Sequence, residues 1–386
     1  MVDRPFWRAR IERAWAQAPI VWLAGVRRSG KTTLARAVAG PDAVFVNCDD
    51  PTSQRRVADP IRFFRENQSR IVVFDEIHQL GDPSLVLKIG ADEFPALRIL
   101  ATGSSTLAAS RKFRDTLTGR KRLVHLVPAL LEELPAFGEA TLDHRLLAGG
   151  LPQALMAAEP DVSFYREWMD SFFARDVQRL FGFRDMNRFN EVFEYVLRGS
   201  GGSFSVNGAA TELGVARPTI ESHLRALAIT HAVTVVRPYH AGTRREIVKQ
   251  PKVYGFDTGF VAFARGWESL RPDDRGPLWE HVVLEHLLAH LPDRTIATWR
   301  DKVDHEVDFV VAGARDQVDA IECKWSDRAF SPVNLHAFRA MHPQGRNFVV
   351  TPRSGPPLTR SIGGLEVTFT SPGTLPLVRP ARSARA

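Results

Sequence analysis

The stretch Ala18–Gly40, APIVWLAGVRRSGKTTLARAVAG, decides the fold. An apolar run from Ile20 to Ala24 stops at Gly25; Gly30, Lys31 and Thr32 follow in the spacing G-x-x-x-x-G-K-T, and a helix-forming run, Thr32 to Val38, comes next. A strand that feeds a glycine-rich loop into a helix N-terminus suits a phosphate, because backbone N–H groups can wrap the anion and the helix dipole adds positive potential. The reading assigns Gly25, Arg28, Ser29, Gly30 and Thr33 to the wrapping loop, Lys31 to the β- and γ-phosphates, and the Thr32 hydroxyl to a Mg²⁺ ion. ATP and Mg²⁺ are the expected cofactors. An accidental glycine-rich turn would need neither flanking element.

Working outward, the run Ile71–Leu80, IVVFDEIHQL, is a second apolar strand ending in two acids. Asp75 is placed to hold the Mg²⁺ through its water shell, and Glu76 to orient or deprotonate the attacking water. Alone, a strand ending in solvated acids is common; beside the upstream loop it completes a hydrolytic pair. A third strand, LRILATGSS, carries Thr102, Ser104 and Ser105 just past its C-terminal end, where parallel α/β sheets place ligands. One of these hydroxyls is a candidate sensor of the γ-phosphate, with an ordinary Ser/Thr-rich turn as the alternative.

These segments sit in a chain of 386 residues, long enough for two to four domains. Hydrophobic residues make up 44% and charged residues 25%, an ordinary globular balance that excludes a disordered majority. Lys and Arg number 51 against 44 acids, giving +7 and a pI near 9.7, which suits a polyanionic partner. Cys48 and Cys323 are the two cysteines, too few and too far apart for a disulfide framework or a CxxC metal knuckle. The start, MVDRPFWRAR, has no apolar signal core, and no run approaches the ~18 to 20 apolar residues of a membrane span. The expected setting is the cytoplasm, with no membrane partner.

In order along the chain, GVRRSGKTTL, VVFDEIH, ILATGSS and DTLTGRKRLVHLVP resemble the AAA-type ATPase domain of a widespread prokaryotic family, in which a C-terminal domain of unknown function follows the ATPase. The resemblance implies that Arg120, in LTGRK, lies near a nucleotide or a subunit boundary as an arginine finger, and so a homo-oligomer. A surface salt bridge is the plainer alternative for Arg120. Where the family has an acid after GGLP, this chain has Gln153.

From about residue 131 to 190, apolar residues such as Trp168, Phe172, Phe173, Val177 and Leu180 recur at three and four, the mark of a helical connector with one packed face. Residues 191–262 contain SVNGAATELGVARPTIESHLRALAITHAVTVVRPY: a helix from Val206 to Leu213, a turn at Gly214, a second helix from about Arg217 to Leu227 and a strand. That is the helix-turn-helix pattern of a winged helix, whose second helix would offer Arg217, Thr219, Ser222, His223 and Arg225 to nucleic acid. DNA is the favoured partner; a packing or protein-docking unit is the alternative.

Residues 263–386 carry the last motif. The helix PLWEHVVLEHLLAHL bears Glu280, the alternating strand EVDFVV bears Asp308, and the strand AIECKW bears Glu322 and Lys324 on one face with Cys323 on the other. If the two strands form a hairpin, Asp308 lies opposite Glu322. An acid on a helix, then Asp, then Glu-x-Lys resembles the PD-(D/E)XK nuclease arrangement over Gly276 to about Val350. The resemblance implies a Mg²⁺ site at Glu280, Asp308 and Glu322, with Lys324 beside the scissile phosphate. A cross-strand salt bridge is the plain alternative. The expected fold class is α/β multidomain: an AAA-type P-loop sheet over residues 1–130, the connector with its winged helix, and a restriction-endonuclease-like domain.

Overall fold

The first apolar runs become the strands of a parallel sheet whose C-terminal ends carry the loops named above. The computed structural model describes residues 2–68, 70–103, 115–138, 140–239, 250–313 and 317–376. Strands β1 (Ile20–Ala24), β2 (Val44–Asn47), β3 (Ile71–Asp75), β4 (Arg98–Thr102) and β5 (Lys121–His125) form this sheet in the order β2-β3-β4-β1-β5, all parallel. β1 is buried at all five positions, as expected of a strand covered on both faces. Helices α1 (Pro5–Trp15) and α2 (Lys31–Ala39) cover one side; α3 (Pro51–Arg56), α4 (Pro60–Glu66) and α5 (Pro83–Glu93) follow β2 and β3. Strand order and loop placement are those of a P-loop AAA-type sheet.

A buried ion pair ties the start of the N-terminal helix to the 3-10 segment Leu131–Phe137 that follows β5. Arg4 donates to Glu133 through Nε at 2.6 Å and Nη2 at 2.8 Å, and its Nη1 reaches the Ser29 carbonyl at 3.3 Å. The segment before α1 thereby braces the phosphate loop from behind.

A helical layer follows: α6 (Leu142–Ala148), α7 (Pro152–Leu155), α8 (Val162–Phe172), a π-helical turn (Phe173–Val177), α9 (Gln178–Phe181) and α10 (Met186–Arg198). Helices α11 (Val206–Leu213) and α12 (Arg217–Ile229) are joined by a turn at Gly214, whose φ of +62° is the left-handed conformation that a helix C-terminus assigns to glycine. An antiparallel ribbon of β6 (Val233–Val236) and β7 (Lys252–Gly255) completes this unit, and α13 (Thr258–Arg265) packs beside it. The aromatic residues of α8 and α10 share one core with α12 and α13, so connector and helix-turn-helix are one packed body.

The C-terminal part is a mixed sheet in the order β12-β13-β11-β10-β9-β8, from β8 (Ile296–Arg300), β9 (Glu306–Ala312), β10 (Val318–Cys323), β11 (Asn347–Val350), β12 (Leu358–Ile362) and β13 (Leu365–Thr370). The long helix α14 (Pro272–His290) and α15 (Val333–Met341) pack against it. β9 and β10 are antiparallel neighbours and β10 and β11 are parallel. Among the described residues no helix is long and apolar enough to cross a membrane.

A buried polar cluster ties the layers together. Arg145 of α6 is fully buried and donates to the Ala129 carbonyl at 2.9 Å, to the Thr258 hydroxyl at 3.0 Å and to Glu285 of α14. Burial pushes the Glu285 carboxyl up to about 8 even though Arg145 pulls it down. Arg145→Ala is expected to cost about 3–5 kcal/mol of stability, because it leaves a buried carboxylate without its cation. The deficit should grow as pH rises through about 8, where Glu285 ionises beside Arg145, and be smallest below it, where Glu285 holds a proton. Urea denaturation at acid and alkaline pH checks this; an equal loss at both would remove Glu285 from the explanation.

Candidate functional site

The loop after β1 folds around the open end of the sheet. Gly25 has φ +150° and a Cβ there would come within 2.6 Å of the Leu126 carbonyl; Gly30 has φ +89° and caps α2. Neither backbone suits a side chain. A cavity of about 670 Å³ opens above them, lined by Gly25 to Arg28, Gly30 to Thr33, and Glu76. Lys31 lies at its floor, with Nζ donating to the carbonyls of Gly25 at 3.1 Å and Val26 at 2.9 Å. Desolvation lowers its pKa, while Glu76, Asp176 and Asp75 oppose the shift. A phosphate entering here would compensate a desolvated cation.

The Thr32 hydroxyl donates to Asp75 at 2.9 Å, so the two groups assigned to Mg²⁺ from sequence already meet, with Thr32 lining the cavity. A hydroxyl and a carboxylate are hard oxygen donors, a set that fits Mg²⁺. Thr102 at the end of β4 donates to Asp75 at 2.6 Å and accepts from the Glu76 N–H at 3.0 Å. Its hydroxyl therefore positions the two acids. Glu76 itself has φ +55°, a strained backbone for a non-glycine residue, with His78 3.2 Å from its carboxylate. Ser29 is buried at the loop, while Ser104 and Ser105 lie outside the described residues.

Arg120 is not brought to this cavity. It precedes β5, and its carbonyl accepts from the Ile20 N–H at the start of β1, the end of the sheet opposite the phosphate loop. Its guanidinium pairs with Asp92 at the end of α5. The parallel strand direction sets that separation from this chain's own cavity, and within the chain Arg120 forms a surface ion pair.

The second constellation lies on the C-terminal sheet. Ile321 pairs with Phe309, so the next step in the antiparallel register sets Glu322 opposite Asp308. Lys324 Nζ lies 2.6 Å from Glu322 and 3.4 Å from Asp308, and the Cys323 N–H donates to Asp308 at 2.7 Å. Glu322 is 1% exposed and its Oε1 has no hydrogen-bond partner. Burial, then the Asp308 charge, pushes its carboxyl up to about 7. Such an orphaned oxygen beside a second carboxylate fits a bound cation.

Glu280 joins this cluster differently from the sequence expectation. Its carboxylate accepts from Lys252 at 3.0 Å and from the Tyr254 hydroxyl, both on β7, and Lys252 also pairs with Glu306. Among the described residues no three acidic, histidine or cysteine side chains converge as a metal-holding group. Two lysine ammoniums, from Lys252 and Lys324, stand among the carboxylates of Glu280, Glu306, Asp308 and Glu322.

On α12, Arg217, Ser222 and Arg225 are exposed and Thr219 is half-buried, while Arg217 pairs with Glu221 one turn on. His223 is corrected from a surface donor to a core residue: it is 6% exposed, with its ring 4.6 Å from Phe183 and 5.3 Å from Phe189. Burial lowers its pKa.

A family model described as an AAA domain matches residues 17–134. Two models described as domains of unknown function, DUF8612 and DUF4143, match residues 139–271 and 275–359. The proteins Rv2008c of Mycobacterium tuberculosis and Mb2031c of Mycobacterium bovis, both called uncharacterized, are each 30% identical over 321 residues, spanning 81% of this chain and 71% of theirs. The chain belongs to their family. Among solved structures, a point variant of Thermotoga maritima RuvB is 16% identical, covering 66% of this chain and 92% of that one at a TM-score of 0.31. The Aeropyrum pernix ORC1 protein in complex with DNA is 13% identical, covering 72% and 93% at a TM-score of 0.28. At these scores neither likeness carries an argument about this chain.

In this AAA-domain protein, several cavity residues were not singled out from sequence as nucleotide ligands. Gln153, Arg175, Asp176 and Thr230 line the cavity from the helical layer, and Lys252 enters the second cluster from β7. No local spacing announces them, because each arrives through packing between distant segments. A lysine two residues before a tyrosine in PKVYGFD is the sole hint for Lys252, since both fall on one strand face.

Proposed function

We propose that the protein hydrolyses ATP and acts on nucleic acid, DNA in the first instance, with a phosphodiesterase-like cluster in its C-terminal sheet. The observation that carries the first half is the juxtaposition of Lys31, Thr32 and Glu76 at one cavity of about 670 Å³, with Asp75 bonded to Thr32 beside it. Lys31 would neutralise the β- and γ-phosphates, Glu76 would orient the attacking water, and Thr32 with Asp75 would hold Mg²⁺. Bound there, the ion would withdraw charge from the transferring phosphoryl group.

The nucleic-acid half rests on chemistry in two places. Arg217, Ser222 and Arg225 present donors along the outer face of α12. Asp308 and Glu322 would offer hard oxygens for a divalent cation, and Lys324, beside both, would stabilise charge on a phosphodiester in flight. A second reading is favoured by Lys252 and Lys324: with both ammoniums neutralising the acids, the C-terminal fold would grip a partner without cutting, and ATP would switch that grip.

Incubating supercoiled plasmid and single-stranded DNA with Mg²⁺ or Mn²⁺, with and without ATP, separates the readings. Under the first, wild type nicks DNA and Lys324→Ala loses on the order of 10²-fold in rate. Intact ATP turnover with uncut DNA, and a salt-dependent gel shift, would select the second.

A further inference from the structure

The helical layer roofs the ATP cavity with an acid. Between α8 and α9 the chain makes a π-helical turn, Phe173–Val177, whose extra residue per turn rotates part of the helix out of phase. Phe173 and Val177 remain in the core, while Ala174, Arg175 and Asp176 line the cavity. One oxygen of Asp176, Oδ2, is buried without a hydrogen-bond partner and lies 3.9 Å from Nη1 of Arg27 in the phosphate loop. Asp176 also acts electrostatically on Lys31 and lies within the field of Glu76.

A carboxylate in that position faces the cations a polyphosphate would use. Lys31 serves the β- and γ-phosphates and Glu76 the water that attacks the γ-phosphate, so the acid lies toward the γ end. A triphosphate brings negative charge closer to it than a diphosphate does, and the low-dielectric cavity magnifies the repulsion. The same loop residue is held mechanically: Trp168 of α8 donates its indole N–H to the Arg27 carbonyl at 2.9 Å. Arg27 thus touches the helical layer through its backbone and faces Asp176 through its guanidinium.

We infer that Asp176 sets the discrimination between triphosphate and diphosphate, and that its carboxylate yields its place beside Arg27 and Lys31 when a γ-phosphate arrives. This rests on the ATP reading above. The π turn then moves with Asp176, and because α8, α10 and α12 share one core, the helix-turn-helix unit is tied to the state of the nucleotide.

The test is equilibrium binding of Mg-ADP and of a non-hydrolysable Mg-ATP analogue to the full chain, by calorimetry, for wild type, Asp176→Asn and Asp176→Glu. Asparagine keeps the shape and removes the charge. Affinity for the triphosphate should rise on the order of tenfold and for the diphosphate about twofold, with glutamate restoring most of the wild-type ratio. An unchanged ratio in Asp176→Asn, with nucleotide still bound, overturns the inference and leaves the ATP reading standing. Failure of wild type to bind either nucleotide would overturn both.

Discussion

Lys31→Ala is expected to lower ATP turnover on the order of 10²–10³-fold. The lysine stands at the cavity floor, where the carbonyls of Gly25 and Val26 hold its ammonium. Desolvation lowers its pKa, a cost to the charged form that a bound phosphate would offset. Alanine removes the ammonium proposed to meet the β- and γ-phosphates and leaves the glycine backbone in place. Phosphate release should fall to background, and ATP should no longer raise the melting temperature. The melting temperature without nucleotide should change little, because the ammonium contributes few packing contacts. If Lys31→Ala retains more than about a tenth of wild-type turnover, the reaction does not run through this cavity.

How much of this was legible in the sequence follows from the distance over which each feature is determined. The phosphate loop was legible because its chemistry lies in one strand-loop-helix segment: Gly25, Gly30, Lys31 and Thr32 need only their neighbours to meet a phosphate. Asp308, Glu322 and Lys324 were legible because a hairpin register follows from alternation, and the structure brings all three side chains together. His223 was legible in principle and was misread. Ile220, His223 and Leu227 lie three and seven residues apart, on one helical face, and that face is buried. The place of Arg120 at the far end of the sheet from the phosphate loop follows from the parallel strand direction, which its motif alone does not carry. Asp176 could not be read at all, and Lys252 only as a lysine sharing a strand face with Tyr254. One reaches its site through a π turn that no spacing announces, and the other crosses from a ribbon into a different sheet.

Glu322→Gln provides the matching separation at the other site. Cleavage of DNA is expected to fall on the order of 10²–10³-fold while ATP turnover is unchanged. Glutamine keeps the shape of a side chain that is 1% exposed and removes the charge that Lys324 meets at 2.6 Å. The consequence for stability has a definite sign. Burial and the neighbouring Asp308 charge raise the folded-state carboxyl from 4.5 to about 7. The protonated form is therefore favoured by folding; this contribution is fully present below the unfolded value and is lost as pH rises through about 7. Wild type should lose stability across that window by a component that Glu322→Gln lacks. Above it, the ionised carboxylate with its orphaned Oε1 calls for a cation, so Mg²⁺ or Mn²⁺ should raise the melting temperature of wild type more than that of the variant. Equal responses to the ions would show that Lys252 and Lys324 already satisfy the acids, and the C-terminal sheet would then act by binding alone.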